Sequence, residues 1–564
     1  MIGFGVFNHE VSSVHAAALL LGVAGLLSRI LGILRDRLLA AHFGAGRELD
    51  IYYAAFQIPD FLSTLFLLGA ASAAIIPVFQ EYLGSDTRRA KQLISGVTSL
   101  FVVIAAGLTA AAVFGVPQMI RVIAPGFSPE EQASTAALAR ILLVAPIFLG
   151  LSSIFSAVVQ TFGRFVIFAL APILYNLGII AGIIFLAPSM GVFGAGLGVI
   201  TGAFLHMGIQ FISARTLGFA PRFFLHFMRD GVGRVAAVSF PRVLSISVSQ
   251  ITTVALLALG STLNEGSVAV YTLAYNLYFV PIGIFGVSYS IALFPRLNRA
   301  YLGKNGREFF EELHTGIRTI LFWVMPSAVL MVILRAHLVR AALGAGAFSW
   351  EDTRLTAAVL AALALAIGGG SLITLLLRGF YALERTWLPL IINVGASGLS
   401  IACAFLFVQA LGNPENMFGR ELAAFFRIDD LQNPEVLGLG LGFAIGVTVN
   451  VVVLFIALRQ LARRVLGRDG AFPGIALLKI GAASLAAGGV AYLVRASFSH
   501  TFPLISLAQV LAQGVVAGAA GIAVYFGMLA ALREEAVYAF WHTFERRLLK
   551  VGMLPKSWDG EEMR

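Results

Sequence analysis

Apolar segments of about 20 residues recur from one end of this chain to the other, and this feature most restricts how the chain can fold. An α-helix rises about 1.5 Å per residue, so about 20 residues cross the hydrocarbon core of a bilayer, which is ~30 Å thick. Only 12% of the 564 residues are charged, whereas typical soluble domains carry about 25%. Membrane β-barrels instead show short segments of alternating polarity. We therefore predict an all-α polytopic membrane protein.

Charges, Gly and Pro divide the apolar segments into about fourteen predicted transmembrane helices. They lie near residues 13–35, 50–80, 94–115, 135–160, 166–187, 191–214, 235–262, 267–296, 316–338, 355–382, 386–410, 437–462, 474–496 and 503–532. An even number of spans puts both termini on one side of the membrane. Lys and Arg gather in the second, sixth, eighth and twelfth connections, so the positive-inside rule predicts that both termini are cytoplasmic.

The net charge of +10 makes nucleic acid a candidate partner. Because the basic residues lie in the predicted cytoplasmic loops, membrane orientation explains them and we expect no nucleic-acid binding. Cys403 is the single cysteine, so no intramolecular disulfide and no Cys-rich metal site are expected. The chain has no Ser/His/Asp set, paired-carboxylate site or metal cluster of credible spacing. We predict that it is not an enzyme and holds no cofactor, apart from an unidentified coupling ion.

Four motifs of the first half return in the second half in the same order, and the first two contain Arg29 with Arg242 and Pro77 with Pro295. The third, Pro-x-x-x-Asn, opens the fifth helix at Pro172 and the eleventh at Pro389, and the fourth, Gly-x-Gly-x-Gly-x-x-x-Gly, opens the sixth at Gly194 and the twelfth at Gly438. The offset grows from 217 residues for the third motif to 244 for the fourth, which indicates an insertion before the twelfth helix. The glycines predict close helix packing rather than a nucleotide loop, because no βαβ unit accompanies them.

The repeat predicts two six-helix lobes in the same orientation, as in transporters whose site lies between two halves at mid-membrane. The predicted parts are an N-lobe at 1–214, a C-lobe at 215–464 with an inserted loop at 411–436, helices 13 and 14 at 465–535, and a basic cytoplasmic tail at 536–564.

Charged residues in the first helix mark the predicted site. Arg29, Arg35 and Asp36 lie at or near membrane depth, where charge costs about 2.5–3.5 kcal/mol on insertion scales and normally lines a cavity. Arg29 and Asp36 share one helix face with three glycines, Gly22, Gly25 and Gly32. Such a face suits a cavity wall or a close contact. The alternative for Arg35 and for Arg37 is that they end the helix and extend to the interface.

The seventh helix repeats this pattern with Arg242, Ser245 and Ser249. Two polar faces with one arginine each would meet across a central cleft. A guanidinium donates paired hydrogen bonds to phosphate oxygens, so the pattern favours an anionic cargo that carries phosphate. Asn276 and His206 are further candidates, and interhelical hydrogen bonding is the competing interpretation for both.

Several segments resemble one known family. They are Ser-Arg-Ile-Leu-Gly-Ile-Leu-Arg-Asp at 28–36, Phe-Gly-Ala-Gly at 43–46, the stretch 50–59, Ile-Ala-Pro-Gly-Phe at 123–127, Pro172 with Asn176, the stretch 245–251, and Arg-Gly-Phe-Tyr-Ala at 378–382. They are similar to the MurJ (MviN) family of lipid II flippases, within the multidrug/oligosaccharidyl-lipid/polysaccharide exporter superfamily.

The resemblance implies two six-helix lobes in a V shape, with two further helices that help to form a lipid-binding groove. It implies a monomer in the bacterial inner membrane, among membrane lipids, whose cargo is the undecaprenyl-pyrophosphate-linked disaccharide-pentapeptide. Alternating access would move this cargo from the cytoplasmic to the outer leaflet. The family's cavity arginines correspond to Arg29 and Arg35, and its acidic positions to Asp36 and Asp50.

Some positions depart from the family pattern. The arginine in the middle of the second helix is replaced by Ser63-Thr64, and the Asp-Arg of the eighth helix by Tyr275-Asn276. Two alternatives therefore stay open. One is a cation-coupled small-molecule or drug antiporter of the same superfamily, and the other is a non-transporting scaffold paralogue in cell-wall synthesis.

Overall fold

The chain is described here from a computed structural model, which covers residues 14–69, 72–223, 232–233, 250–467, 473–501 and 507–538. Within these ranges the secondary structure is helical, without strands. The helices of the first half are α1 Val14–Phe43, α2 Arg47–Gly69, α3 Ser72–Ser85, α4 Thr87–Ile123, α5 Pro129–Leu142, α6 Val144–Thr161, α7 Phe165–Ala181, α8 Val192–Thr216 and α9 Gln250–Ser261.

The second half continues the helical pattern. Its helices are α10 Ser267–Pro281, α11 Ser288–Leu302, α12 Gly306–Ile333, α13 Arg335–Leu343, α14 Trp350–Ala364, α15 Ile367–Ala382, α16 Trp387–Gly412, α17 Met417–Phe426, α18 Val436–Leu466, α19 Gly474–Thr501 and α20 Leu507–Ala531. Short π-helical segments continue α7 at Gly182–Leu186 and α10 at Ile282–Val287.

Helices occupy all fourteen predicted positions, the seventh being described from Gln250 onward. Among the described residues, ten helices are long and apolar enough to span a membrane, or eleven with the pair α14 and α15, which is bent by 44°. The other three predicted spans are α1, which carries four charges in its second half, the pair α2 and α3, and the partly described α9. The predicted fold class is confirmed.

Several predicted boundaries are wrong because polar helix ends project beyond the apolar segment. The third predicted helix, 94–115, is α4 Thr87–Ile123, and its N-cap Asp86 accepts a hydrogen bond from the Arg88 backbone N–H. The ninth, 316–338, is α12 followed by α13. The inserted loop 411–436 contains a helix, α17, which begins after the N-cap Asn416.

The repeated glycines pack helices closely, as predicted. On α8, Gly194, Gly198 and Gly202 are spaced by four residues and lie against the backbone of the preceding helix, and a Cβ built on Gly202 would be 2.3 Å from the Tyr175 carbonyl oxygen. On α18, a Cβ on Gly442 would be 2.2 Å from the Ala404 backbone nitrogen. In both halves, small residues let two backbones approach as in membrane helix pairs.

The described contacts divide the chain into two compact units. Unit 1 comprises residues 1–273, 342–356 and 401–442, and unit 2 comprises 274–341, 357–400 and 443–564. The division at 214/215 between predicted lobes stays a prediction. The predicted tail lies outside the described residues from position 539 onward.

Candidate functional site

Arg35 and Asp36 form an ion pair on α1, inside unit 1. The Nε and Nη2 atoms of Arg35 donate to the same Asp36 oxygen, at 2.9 and 2.8 Å. Asp36 is buried, whereas the Arg35 side chain keeps 26% of its surface exposed. The carboxylate thus offsets one arginine charge, and part of the Arg35 side chain stays exposed.

Asn176 on α7 positions this pair. Its amide nitrogen donates to the Ser28 carbonyl at 3.3 Å and to the Ser28 hydroxyl at 3.2 Å, and also to its own helix at the Pro172 carbonyl. Its amide oxygen accepts from Arg35 Nη1 at 3.5 Å. One buried amide therefore connects α1 with α7 and contacts the arginine.

A cavity of about 350 Å³ lies within the same unit. Its polar lining residues are Asp60, Ser63, Thr64, Tyr175 and Gln250. The rest of the wall is apolar and comes from α2, α5, α6 and α8. Tyr175 on the wall directly precedes Asn176, which contacts Arg35, so the cavity lies close to the charged pair. A mostly apolar cavity with a few convergent polar groups is the usual form of a ligand site.

Arg29 lies two turns before Arg35 on α1 and is half-buried. Among the described residues it has no hydrogen-bond or ion-pair partner. A Cβ built on Gly22, Gly25 or Gly32 would meet no described atom within 4 Å. Most of the seventh predicted helix lies outside the described residues, so the choice between a cavity wall and a close helix contact stays a prediction.

Asp50 lies away from this cavity, in the first turn of α2. It is 1% exposed, and its two carboxylate oxygens accept from the backbone N–H groups of Gly266 and Ala269, both at 2.8 Å. These groups belong to the start of α10, where free N–H groups and the helix dipole favour a negative charge. Both oxygens are therefore occupied, and cargo binding by Asp50 stays a prediction.

Further contacts join the same regions of unit 1. The Arg47 backbone N–H donates to Glu265 at 2.9 Å, the Gly126 N–H to the Ser261 hydroxyl at 3.2 Å, and the Ala347 N–H to the Ala41 carbonyl at 2.8 Å. We call these contacts, together with those of Asp50, the latch. It joins residues 41–50 and Gly126 to residues 261–269 and Ala347, which are far away in sequence.

The remaining predicted residues are placed as follows. Arg242, Ser245 and Ser249 lie outside the described residues, and Asn276 lies half-buried on α10 in unit 2. His206 pairs through Nδ1 with the Ser152 hydroxyl at 2.8 Å, which confirms the interhelical hydrogen bond.

Reasoning from the sequence missed two functional candidates. Asn176 belongs to the repeated motif and to the family resemblance, and neither assigns it a role in the site. Its counterpart Asn393 also makes an interhelical contact, with Asn450 at 3.1 Å. The motif therefore contained a usable signal. Asp60 is an acidic residue inside an apolar segment, and that position alone marks a candidate cavity residue.

A helical membrane protein with an intramembrane arginine beside a cavity of ligand size has the features of a transporter. Its fold is similar to a solved structure described as lipid II flippase MurJ in an inward closed conformation, with a TM-score of 0.71, 25% identity, and 92% of this chain and 100% of that chain covered. It also shares its fold with an inward-facing multidrug resistance MATE family transporter of the MOP superfamily, with a TM-score of 0.61, 15% identity and 80% and 100% coverage.

Comparison of the sequence with known families assigns the chain to one family. The profile of the family described as lipid II flippase MurJ matches residues 39–513. A lipid II flippase MurJ of Burkholderia cenocepacia is 28% identical over 452 residues, which cover 78% of this chain and 83% of the relative. The chain therefore belongs to the MurJ family. Its spans and its family make it a multi-pass protein of the bacterial inner membrane.

Proposed function

We propose that this protein moves lipid II, the undecaprenyl-pyrophosphate-linked peptidoglycan precursor, from the cytoplasmic to the outer leaflet by alternating access. Family membership over residues 39–513 is the observation that carries the proposal. The chain acts as a monomer with both termini cytoplasmic, and it is not an enzyme.

Arg35 is the principal contact for the pyrophosphate. Its guanidinium is held by Asp36 and Asn176, and part of the Arg35 side chain is exposed. A guanidinium keeps its charge and forms paired hydrogen bonds with phosphate oxygens, so it suits this ligand better than lysine. Arg29, without a partner among the described residues, supplies a second positive charge on the same helix. We assign the third positive charge to Arg242, which lies outside the described residues.

The cavity has no arginine or lysine among its described lining residues, which makes the arginines of α1 and Arg242 more important. Ser63 and Thr64 line the cavity where family members carry an arginine, and Asp60 adds a negative charge. The attraction for a phosphate therefore depends on α1 and on Arg242 more than in relatives that keep the arginine. We expect substitutions of Arg35 to be correspondingly severe.

The latch supports alternating access. With both termini cytoplasmic, the end of α1 and the start of α2 lie on the outer side of the membrane, so the latch closes unit 1 on that side. Release of cargo to the outer leaflet requires these contacts to break. Each hydrogen bond of the latch contributes about 0.5–1.5 kcal/mol between neutral groups and about 1.5–3 kcal/mol where a carboxylate accepts, so the contacts can be exchanged one at a time during such a cycle.

Complementation in a bacterium depleted of its own lipid II flippase tests the proposal. At matched membrane expression, the unchanged chain should restore growth, Arg35→Ala and Arg242→Ala should fail, and Arg29→Ala should be impaired. The matched control is Arg121→Ala, an exposed arginine in the last turn of α4 that does not line the cavity, which should complement normally. Insertion without rescue by the unchanged chain would contradict lipid II as the cargo.

The cavity residue Asp60 favours a second candidate, a cation-coupled small-molecule antiporter. Such a transporter needs an acidic residue at membrane depth that binds the coupling ion, and Asp60, within an apolar segment, lines the cavity. The discriminating measurement is efflux of a cationic dye from vesicles under an imposed sodium or proton gradient. Gradient-driven efflux that Asp60→Asn abolishes, without rescue of the flippase-depleted strain, would favour the antiporter.

A further inference from the structure

The inserted segment between α16 and α18 contains a short helix, α17, that is too short to cross a membrane. Its ten residues extend about 15 Å, half of a hydrocarbon core. Because the segment joins two spans, it begins and ends at a membrane surface. The transport cycle proposed above gives α17 no role at this surface.

Two faces of α17 are apolar, and the part of the chain that the structure describes covers one of them. Gly419, Ala423 and Phe426 form the buried face. Next to it, Phe418, Leu422 and Phe425 are spaced by four and three residues, which places them on one stripe. Phe418 is 56% exposed and Phe425 is 76% exposed. We call this second set the aromatic stripe.

The buried face holds α17 tightly against the end of α16. A Cβ built on Gly419 would meet the Ala410 carbonyl, so the backbones are in contact. The ring of Phe418 lies 6.3 Å from that of Phe407 on α16. Since α16 has 26 residues and extends about 39 Å, longer than the ~30 Å core, its last turns reach the boundary between acyl chains and headgroups. This contact puts α17 at the same depth.

Arg354 fixes the other end of α17. Its guanidinium donates to both Asp430 carboxylate oxygens and, at 2.6 Å, to the Arg427 carbonyl just after the helix. This hydrogen bonding lowers the pKa of the Asp430 carboxyl, so the pair is charged at neutral pH. Arg354 lies one turn into α14, whose first residue, Trp350, is 57% exposed. Exposed Trp is typical of membrane–water interfaces.

We propose that α17 is an interfacial helix, whose aromatic stripe inserts into the boundary between the headgroups and acyl chains of the bilayer. The stripe continues the exposed apolar surface of α16, where Leu406 is 63% exposed, so the same lipids contact both helices. Arg420 lies about 140° around the helix from Phe425 and is exposed, as expected for the side that faces water. Interfacial helices combine these two kinds of surface.

Site-directed spin labelling of the full chain in phosphatidylethanolamine–phosphatidylglycerol vesicles tests this proposal. The single cysteine is first removed by Cys403→Ala, and labels are attached at Phe425→Cys and Arg420→Cys. The measured quantity is the collision rate with oxygen divided by that with a water-soluble nickel chelate. Oxygen concentrates in lipid, so the ratio at 425 should be several-fold above the ratio at 420.

Two reference positions calibrate the result. Leu406→Cys reports the lipid-facing surface of α16, and Glu415→Cys reports the exposed loop before α17. A ratio at 425 equal to that at 415 means that the stripe faces water and overturns the proposal. Protection of 425 from both reagents means that a second copy or another protein covers the stripe, which also overturns it. A label at Phe418→Cys gives an independent measurement on the same stripe.

Discussion

At the scale of single residues, a few buried polar side chains join helices that are distant in sequence. Asn176 contacts Ser28 and Arg35 across 148 and 141 residues. Asp50 binds the start of α10 across more than 200 residues. A carboxylate that accepts two backbone N–H groups in a buried position is strongly held, because each such bond contributes about 1.5–3 kcal/mol.

We predict that Asp50→Ala destabilises the protein by about 3 kcal/mol, because it leaves the N–H groups of Gly266 and Ala269 without their acceptor. Asp50→Asn keeps one acceptor oxygen and should cost less. The measurement is the thermal unfolding midpoint of the purified protein in detergent. The matched control is Glu48→Gln, an exposed acidic residue in the same turn, which should leave the midpoint unchanged. Equal midpoints for Asp50→Ala and Glu48→Gln would show that the latch contributes no stability.

At the scale of helices, glycine faces decide how closely neighbours pack. The three α8 glycines allow backbone contact with α7, and this contact places Tyr175 and Asn176 beside the cavity and α1. On the same helix, Gly208 has no described atom within 4 Å of a built Cβ. One helix therefore contains both a glycine required by packing and one that is not.

Gly202→Ala should destabilise the protein by about 1–3 kcal/mol, the usual cost of overpacking a close-packed contact, since the new methyl group overlaps the Tyr175 carbonyl oxygen. Gly208→Ala should be neutral, or stabilising by up to about 1 kcal/mol, because alanine is the better helix former. Unfolding midpoints of both variants measure the difference. If the two substitutions lower the midpoint equally, the loss of stability at position 202 does not come from backbone contact between α7 and α8.

The two C-terminal helices are docked within unit 2 by a charged cluster. Arg318 on α12 donates from Nε to Glu534 at 2.7 Å and from Nη1 to Glu535 at 2.8 Å. The Glu534 side chain is 3% exposed and that of Glu535 is 86% exposed. The Tyr525 hydroxyl of α20 also donates to the Phe322 carbonyl of α12 at 2.5 Å.

These two adjacent glutamates form a matched pair for mutation. Glu534→Gln removes a buried charge and leaves Arg318 poorly compensated, so we expect a loss of about 3 kcal/mol. Glu535→Gln removes a solvent-screened partner and should have no measurable effect. The experiment compares unfolding midpoints with proteolytic release of α19 and α20. A greater effect of Glu535→Gln would contradict burial as the source of the stability.

At the scale of the whole molecule, the latch makes unit 1 discontinuous in sequence. Residues 342–356 and 401–442 belong with residues 1–273, and Ala41, Gly44, Asp50 and Gly126 contact the later segments. A transport cycle with alternating access requires this closed arrangement to open. The proposed function therefore predicts that the latch opens during transport.

A disulfide across the latch should block transport reversibly. A Cβ built on Gly44 lies 3.7 Å from the Ala347 Cβ, within the 3.5–4.5 Å typical of disulfides. In the Cys403→Ala background, Gly44→Cys with Ala347→Cys should fail to complement under oxidising conditions and recover after reduction. Each single variant controls for strain at Gly44, whose φ is +63°. Full complementation by the quantitatively oxidised double variant would show that transport does not require the latch to open.

Much of the fold could be predicted from local sequence, but the grouping of the site residues could not. The length of each apolar segment predicts a transmembrane span, because a helix can satisfy all its backbone hydrogen bonds internally within the bilayer. Arg29 and Arg35 were predicted because charge at membrane depth is costly wherever it occurs. The contact of Asn176 with Arg35, the position of Asp60 and the latch depend on helices separated by more than 100 residues. Such pairings leave no periodic signal.

The sequence by itself determined the all-helical membrane class, the approximate positions of the spans, the glycine packing faces and the arginines of α1, since each follows from the local balance of apolar, small and charged residues. Only the tertiary structure decided that both Asp50 oxygens are used by the start of α10, that Asp60 and Ser63 share a cavity, and that the inserted loop contains an amphipathic helix fixed by Arg354. The physical reason is that burial and pairing of a polar group depend on its neighbours in space, which the order of residues along the chain does not specify.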